Sequence, residues 1–153
     1  MSGTTSIYCK FGNISGTTTD KNHKNCMDIM AMSWGNNRNI PMNPGSPTRE
    51  PGQPTFSGLM LTKLVDSSST ELFQRSYGSQ TGEEVIVYLA NSGDSGAVDY
   101  AKFRLEGARI SAYTCNGSGD SPAIEFITLA YEELYLEIGD KKAGYKLTTG
   151  EKA

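Results

Sequence analysis

The chain has little of what usually announces chemistry. It holds one histidine and one tryptophan in 153 residues, and its three cysteines are an odd number with no C-x-x-C spacing. Neither a disulfide framework nor a zinc site fits that pattern, so Cys9, Cys26 and Cys115 read as buried free thiols. A basic field is missing too: the net charge is -3, the pI is near 5.2 and no Lys/Arg cluster stands out. That excludes the usual electrostatic footprint of a nucleic-acid partner. Long apolar runs are absent, and the longest, residues 85–90, is far too short to cross a bilayer, so no membrane insertion is expected. The opening MSGTTSIYCKF has neither the basic nor the apolar region of a secretory signal. The expectation is a soluble chain made in the cytoplasm, where the acceptor-like Asn13-Ile14-Ser15 and Asn116-Gly117-Ser118 would not meet a glycosylation machinery.

What is present points to β-structure. Hydrophobic residues make up 37% of the chain and glycines number 17, among many Ser, Thr and Asn, a composition of short strands joined by turns. A chain of this length is expected to form one domain, residues 1–153, and to bury roughly 70% of its unfolded surface. Residues 7–11 alternate and stop at Gly12-Asn13, a first strand and its turn. Residues 17–25 are polar and read as loop.

Next comes MDIMAMSWG, residues 27–35, read as one strand that is apolar on both faces. Met30, Met32 and Trp34 share one side, and Ile29, Ala31 and Ser33 the other. Residues 35–54 hold five of the six prolines, so no strand ladder is expected there, and a connection of about twenty residues exceeds what a compact domain needs unless it is used for something.

Strand resumes over residues 55–65. Ser68 and Glu71 fit a capping box, which places the one helix at residues 69–77, with Gly78 as its C′ residue and Phe73 and Tyr77 on one face. So short a helix must lie against a sheet. Residues 84–89 and 100–115 follow as strands, with a bend at Gly107. Residues 124–138 alternate, but the apolar frame slips at Glu132-Glu133, which predicts a β-bulge within one long strand. A helix competes over AYEELYLEI, yet the alternation before it favours strand. A last strand is expected at residues 145–149, before a charged tail that frays.

The search for catalysis returns nothing that survives comparison with a plain structural role. His23 sits among Asp20, Lys21 and Lys24 with no signature tying it to a cysteine nucleophile. The neighbouring carboxylates Glu83/Glu84 and Glu132/Glu133 would face opposite sides of a strand, whereas acid–base catalysis needs a pair on one side. The Gly-rich pieces at residues 91–96 and 116–120 lack a following helix and are turns, not phosphate cradles. No catalytic residue, metal ligand or cofactor is assigned, and function is expected to lie in surfaces.

Several segments in order resemble the haemolysin-coregulated protein (Hcp) family, the tube subunits of bacterial type VI secretion systems. They are Phe11-Gly12-Asn13-Ile14-Ser15-Gly16, Asp20-Lys21-Asn22-His23, the MDIMAMSWG stretch, and Leu61-Thr62-Lys63-Leu64-Val65-Asp66-Ser67-Ser68-Ser69. Gly144-Tyr145-Lys146-Leu147 is similar to a closing Gly-Trp-Asp-Leu strand, with Tyr and Lys in place of Trp and Asp.

The resemblance implies a mainly β fold, a β-barrel of two packed antiparallel sheets with one short flanking helix. It implies six copies closing into a ring, and rings stacking into a tube inside a contractile sheath. The partners would be the protein itself as a homohexamer, secreted effectors that it carries and chaperones, and the sheath and spike proteins. The protein would leave the cytoplasm without a cleaved signal peptide and would not be an enzyme. Met30, Met32 and Trp34 would then enter the barrel core, with Ala31 and Ser33 on the lumen wall facing cargo. Ring stacking falls to Asn36, Asn37, Arg38, Asn39, Ile40, Pro41, Met42, Asn43, Pro44, Arg49 and Glu50 of the proline loop. The competing function is a monomeric β-barrel that binds a small ligand in its interior.

Overall fold

The computed structural model describes residues 4–45, 47, 49–78, 81–93 and 95–152. Its elements in order are β1 (Thr5–Phe11), β2 (Met27–Ile29), β3 (Ala31–Ser33), β4 (Asn36–Asn37), β5 (Thr55–Phe56), β6 (Leu59–Leu64) and α1 (Ser69–Gly78). They are followed by β7 (Glu83–Asn91), β8 (Val98–Ser118), β9 (Ser121–Ala130), β10 (Glu133–Ile138), β11 (Lys141–Lys146) and β12 (Glu151–Lys152). The fold is mainly β and antiparallel with one short helix, as the sequence implies.

One layer runs β12-β11-β10-β8-β7-β1-β2, and the other runs β3-β6-β9-β8. Strand β8 belongs to both. It pairs with β10 up to Glu106 and with β7 up to Ala108, and from Arg109 onward with β9. Gly107 stands at the change with φ +64, and a Cβ on Gly82 would come within 2.5 Å of its Cα, so the bend needs a side chain at neither position.

Between the layers lie Phe11, Val85, Val87 and Leu105 from the first and Leu59, Leu61, Ile127 and Leu129 from the second, none more than 1% exposed. Each such side chain contributes about 1.5–3 kcal/mol of burial, which makes this the chief source of stability.

The apolar frame slips are places where the chain changes layer. Residues 27–34 are not one strand: β2 pairs with β1 and buries Met27 and Ile29, whereas β3 pairs with β6 and turns Met32 inward. Met30, expected in the core, is 54% exposed at the crossing, where its N–H donates to the Thr62 carbonyl at 2.7 Å. Ile29, expected on the smaller outer face, is buried.

The slip at Glu132-Glu133 is the same event and not a bulge. β9 ends in the second layer at Ala130, β10 starts in the first at Glu133, and Tyr131 and Leu134 are both buried. The core lies between the layers, so a chain passing from one to the other must change the phase of its inward residues.

The helix begins where expected, but its cap differs. Asp66 Oδ1 accepts the Ser68 N–H at 2.9 Å and the Ser68 hydroxyl at 2.5 Å, so Asp66 has the place assigned to Glu71, which pairs with Arg75 at 3.6 Å. Gly78 ends the helix without a left-handed φ, so it is not the expected C′ residue. Leu72 is fully buried, and Phe73 packs on Tyr113 of β8 with ring centroids 5.8 Å apart.

The strand expected at residues 145–149 falls earlier, as β11 at Lys141–Lys146, and the tail expected to fray is held by β12 pairing with Tyr145 and Lys146. At the base of the proline loop, β4 and β5 form a short ladder where none was expected.

Candidate functional site

The two layers present unlike outer faces. On the second, strand register places Ala112, Thr128, Met60 and Ser33 in one cross-strand row, and Thr114, Phe126, Thr62 and Ala31 in the next. Asn116, Ile124 and Leu64 form a third row. No position in these rows carries a charge. Ala31 and Ser33 are exposed side by side on this face, as are Met60 and Leu64 at 46% and 45%.

The first layer's outer face is charged. Lys102 and Arg104 stand near Glu137, Arg104 pairs with Glu106, and the Arg104 guanidinium lies 4.4 Å from the centre of the Tyr135 ring.

The proline loop leaves from the edge of the uncharged face. Gly35 is tied to Ser57 by bonds of 2.9 to 3.1 Å, Asn36 and Asn37 pair with Phe56 and Thr55, and the Gly52 N–H donates to the Asn39 carbonyl at 2.7 Å. Beyond that base Arg38, Asn39, Ile40, Met42, Asn43, Pro44, Arg49 and Glu50 are exposed and Pro41 is half-buried. Met42 reaches 73% exposure, a large apolar side chain held out in water.

Beneath the loop base, the Trp34 indole N–H donates to the Tyr131 hydroxyl at 2.8 Å, and that hydroxyl donates to the Ser57 carbonyl at 2.7 Å. Burial raises the Tyr131 phenol above its ordinary value, with the bond from Trp34 working the other way.

A buried ionic network fixes the helix to the layers. Lys63 and Glu125 are both 0% exposed, with Lys63 Nζ 2.7 Å from Glu125 Oε1, 3.0 Å from Asp66 Oδ1 and 2.9 Å from the Leu64 carbonyl. Glu125 also accepts the Ser69 hydroxyl at 2.9 Å and the Tyr113 hydroxyl. Burial, with the bond to Glu125 added, raises the Tyr113 phenol far above its ordinary value.

Sequence reasoning missed this pair although a signal was there. Lys63 follows Leu59 and Leu61 in the core phase of β6, and Glu125 precedes Ile127 and Leu129 in the core phase of β9. Opposite charges at inward positions of neighbouring strands mark a buried pair.

His23 is also more than a loop residue. It is 3% exposed, stacked on Tyr8 at 4.3 Å and edge-on to Tyr88 at 5.0 Å, over the outer face of β1 and β7. Tyr8, Cys26, Ala90, Ala97 and Tyr88 form a second small apolar cluster there, so the chain itself hides much of what looked like an unpaired apolar face. The approach is close: a Cβ on Gly16 would fall 1.9 Å from the Cys26 carbonyl oxygen. Cys9 and Cys26 are buried, and burial pushes the Cys26 thiol up to about 11, but Cys115 is exposed on the β8–β9 hairpin, contrary to expectation.

Two layers joined by crossing strands, one docked helix and two faces of opposite character define the class: a β-protein organised around what it presents to neighbours. Its relatives are consistent with that. Residues 8–137 match the family described as type VI secretion system effector, Hcp. The chain belongs to the Hcp family, the structural, non-catalytic tube proteins secreted by the type VI system.

Among solved structures, the fold is similar to a type six secretion system protein, with TM-score 0.88 at 24% identity over 98% of this chain and 100% of that one. Hcp1 from Salmonella typhimurium superposes with TM-score 0.81 at 19% identity, over 97% and 99% of the two chains. A mutant Hcp1 from E. coli EAEC 042 gives 0.74 at 18%, over 96% and 99%. No curated protein matches the chain.

Proposed function

We propose that the whole chain acts as one Hcp-like domain, that six copies close into a ring, and that the rings stack with the second layer's outer face toward the bore. Ala31 and Ser33 then lie on the lumen wall and meet cargo. The loop positions from Asn36 to Pro44, with Arg49 and Glu50, meet the next ring. The partners are other copies of the chain, effectors carried in the lumen, and the sheath and spike around and ahead of the tube. The chain is made in the cytoplasm and leaves with the tube, without a cleaved signal.

The observation that carries this reading is the three uncharged rows on that face, bounded by Arg109 opposite Ala130. A bore through which proteins travel works best without fixed charges that would hold one cargo and repel another, whereas an outer wall in contact with water and sheath is suited to paired charges. The chain's interior is filled by packed side chains, which gives a monomeric ligand-holding barrel no comparable support.

Light scattering tests the ring, and a strictly monomeric species over a wide concentration range defeats it. Ser33→Gln tests the wall: assembly stays intact and retention of a co-expressed effector changes. Loss of the fold means that the position points inward, and unchanged assembly with unchanged retention means that Ser33 does not read cargo.

A further inference from the structure

His23 Nδ1 lies 2.6 Å from Asp20 Oδ2, and His23 Nε2 lies 2.6 Å from Asp99 Oδ1. An ionised carboxylate only accepts hydrogen bonds, and a neutral imidazole has a single N–H and one lone pair. With a neutral ring, one of these contacts would set lone pair against carboxylate oxygen beside a ring side chain only 2% exposed, and only Asp99, its side chain 39% exposed, could turn to water. Two N–H groups satisfy both contacts.

We propose that His23 is an imidazolium latch, which fastens the loop at residues 17–25 to the first layer and whose loss of a proton releases the loop and uncovers the apolar cluster beneath it.

Every group around the ring bears on that balance. Asp20 lies on the loop, Asp99 on β8, the Tyr8 ring on β1 and the Tyr88 ring on β7. Lys10, Lys21 and Lys24 line the adjoining cleft of about 300 Å³ together with Asn22 and Cys26. The lysines oppose a second cation, but all three are exposed and screened by solvent, whereas the two carboxylates touch the ring.

Asp20 is itself held in place. Its Oδ1 accepts the Ala97 N–H at 2.9 Å, its Oδ2 accepts the Asn22 N–H at 3.1 Å, and the Asn22 amide donates to the Ala97 carbonyl at 2.9 Å. The bond from His23, more than any other contact, keeps the Asp20 carboxyl below the usual carboxylate range. The latch thus joins the β1–β2 loop to the turn that enters β8, and Cys26, 2% exposed, lies under it.

The chain has a single histidine, so nitrogen-15 NMR of the imidazole in the full-length protein reads this site without overlap. With the loop latched, both ring nitrogens should carry directly bonded protons. As the ring loses one of them, the protection factors of the amides across residues 17–25, corrected for base-catalysed intrinsic exchange, should fall about tenfold, the loss expected for one hydrogen bond to a charged group.

Asp99→Asn, at a partly exposed partner, provides a second arm. Compared with the wild type at the same pH, it should lower the occupancy of the second ring proton and speed both loop exchange and alkylation of Cys26, with Cys115 as the accessible reference. A neutral ring in the wild type with the loop latched, the shared proton then residing on a carboxylate, overturns the proposal. So do loop protection factors that stay constant as the ring loses its proton, or an Asp99→Asn protein in which ring protonation, protection and alkylation are all unchanged.

Discussion

Replacing Lys63 with methionine removes a cation that makes three bonds of 2.7 to 3.0 Å in a site with no solvent exposure. Glu125, also 0% exposed, would be left with only the Ser69 and Tyr113 hydroxyls. Breaking one side of a buried pair costs about 3–5 kcal/mol, chiefly because the surviving charge stays buried. Lys63→Met is therefore expected to lose that much, and Glu125→Leu a similar amount.

The double variant removes both charges. The groups that lose a partner are Asp66, whose side chain is 22% exposed and still accepts from Ser68, the Leu64 carbonyl, and the hydroxyl protons of Ser69 and Tyr113, for a loss of about 1–3 kcal/mol. The double variant should thus be more stable than either single one. Urea unfolding followed by Trp34 fluorescence measures all four corners, at one protein concentration because assembly shifts apparent stability. Single losses below about 1 kcal/mol, or losses that simply add, would refute the claim that the pair is buried and coupled.

Three further outcomes are expected. Burial pushes the Asp66 carboxyl up, but bonds from Ser68 and Lys63 outweigh it and hold the group below its ordinary value of 3.8. Its contribution is therefore complete above that value and is lost as pH falls through the lower folded-state value. Asp66→Asn should flatten the acid arm of a plot of urea midpoint against pH, and an unchanged arm counts against the assignment. Tyr131→Phe, which leaves the Trp34 N–H and the Ser57 carbonyl without their shared hydroxyl, should cost about 1–3 kcal/mol by the same unfolding assay, less than the roughly 3–5 kcal/mol for Trp34→Ala. Replacing residues 38–54 with a short Gly/Ser turn on the β4–β5 ladder should abolish ring stacking in electron micrographs and leave the melting temperature of the subunit nearly unchanged; a collapse of that temperature without loss of a stacking contact would make the loop part of the fold.

The strands and the helix were legible because alternation and capping chemistry are local. The frame slip at Glu132-Glu133 was visible too, but the alternation alone pointed to the wrong cause. A bulge and a change of layer leave the same mark, one lost beat in the alternation, and only the pairing partners distinguish them. At residues 27–34 the slip was overlooked, since Met30 is apolar and satisfies an inward pattern as readily as Met32.

The exposed positions of Ala31 and Ser33 followed from small residues in a correctly phased β3. Lys63 and Glu125 could have been found from the core phase of their strands. The contact between His23 and Asp99 could not, because 76 residues separate them and nothing in either neighbourhood points to the other.

The crossings have a mechanical consequence. Because β8 runs through both layers and the chain changes layer again between β2 and β3 and between β9 and β10, the layers cannot part at a seam of hydrogen bonds alone. A pull on one is carried into the other along covalent backbone, and separating them means shearing β8 from β7, β9 and β10 together. For a secreted tube subunit, load is shared across the whole fold before any single strand can peel away.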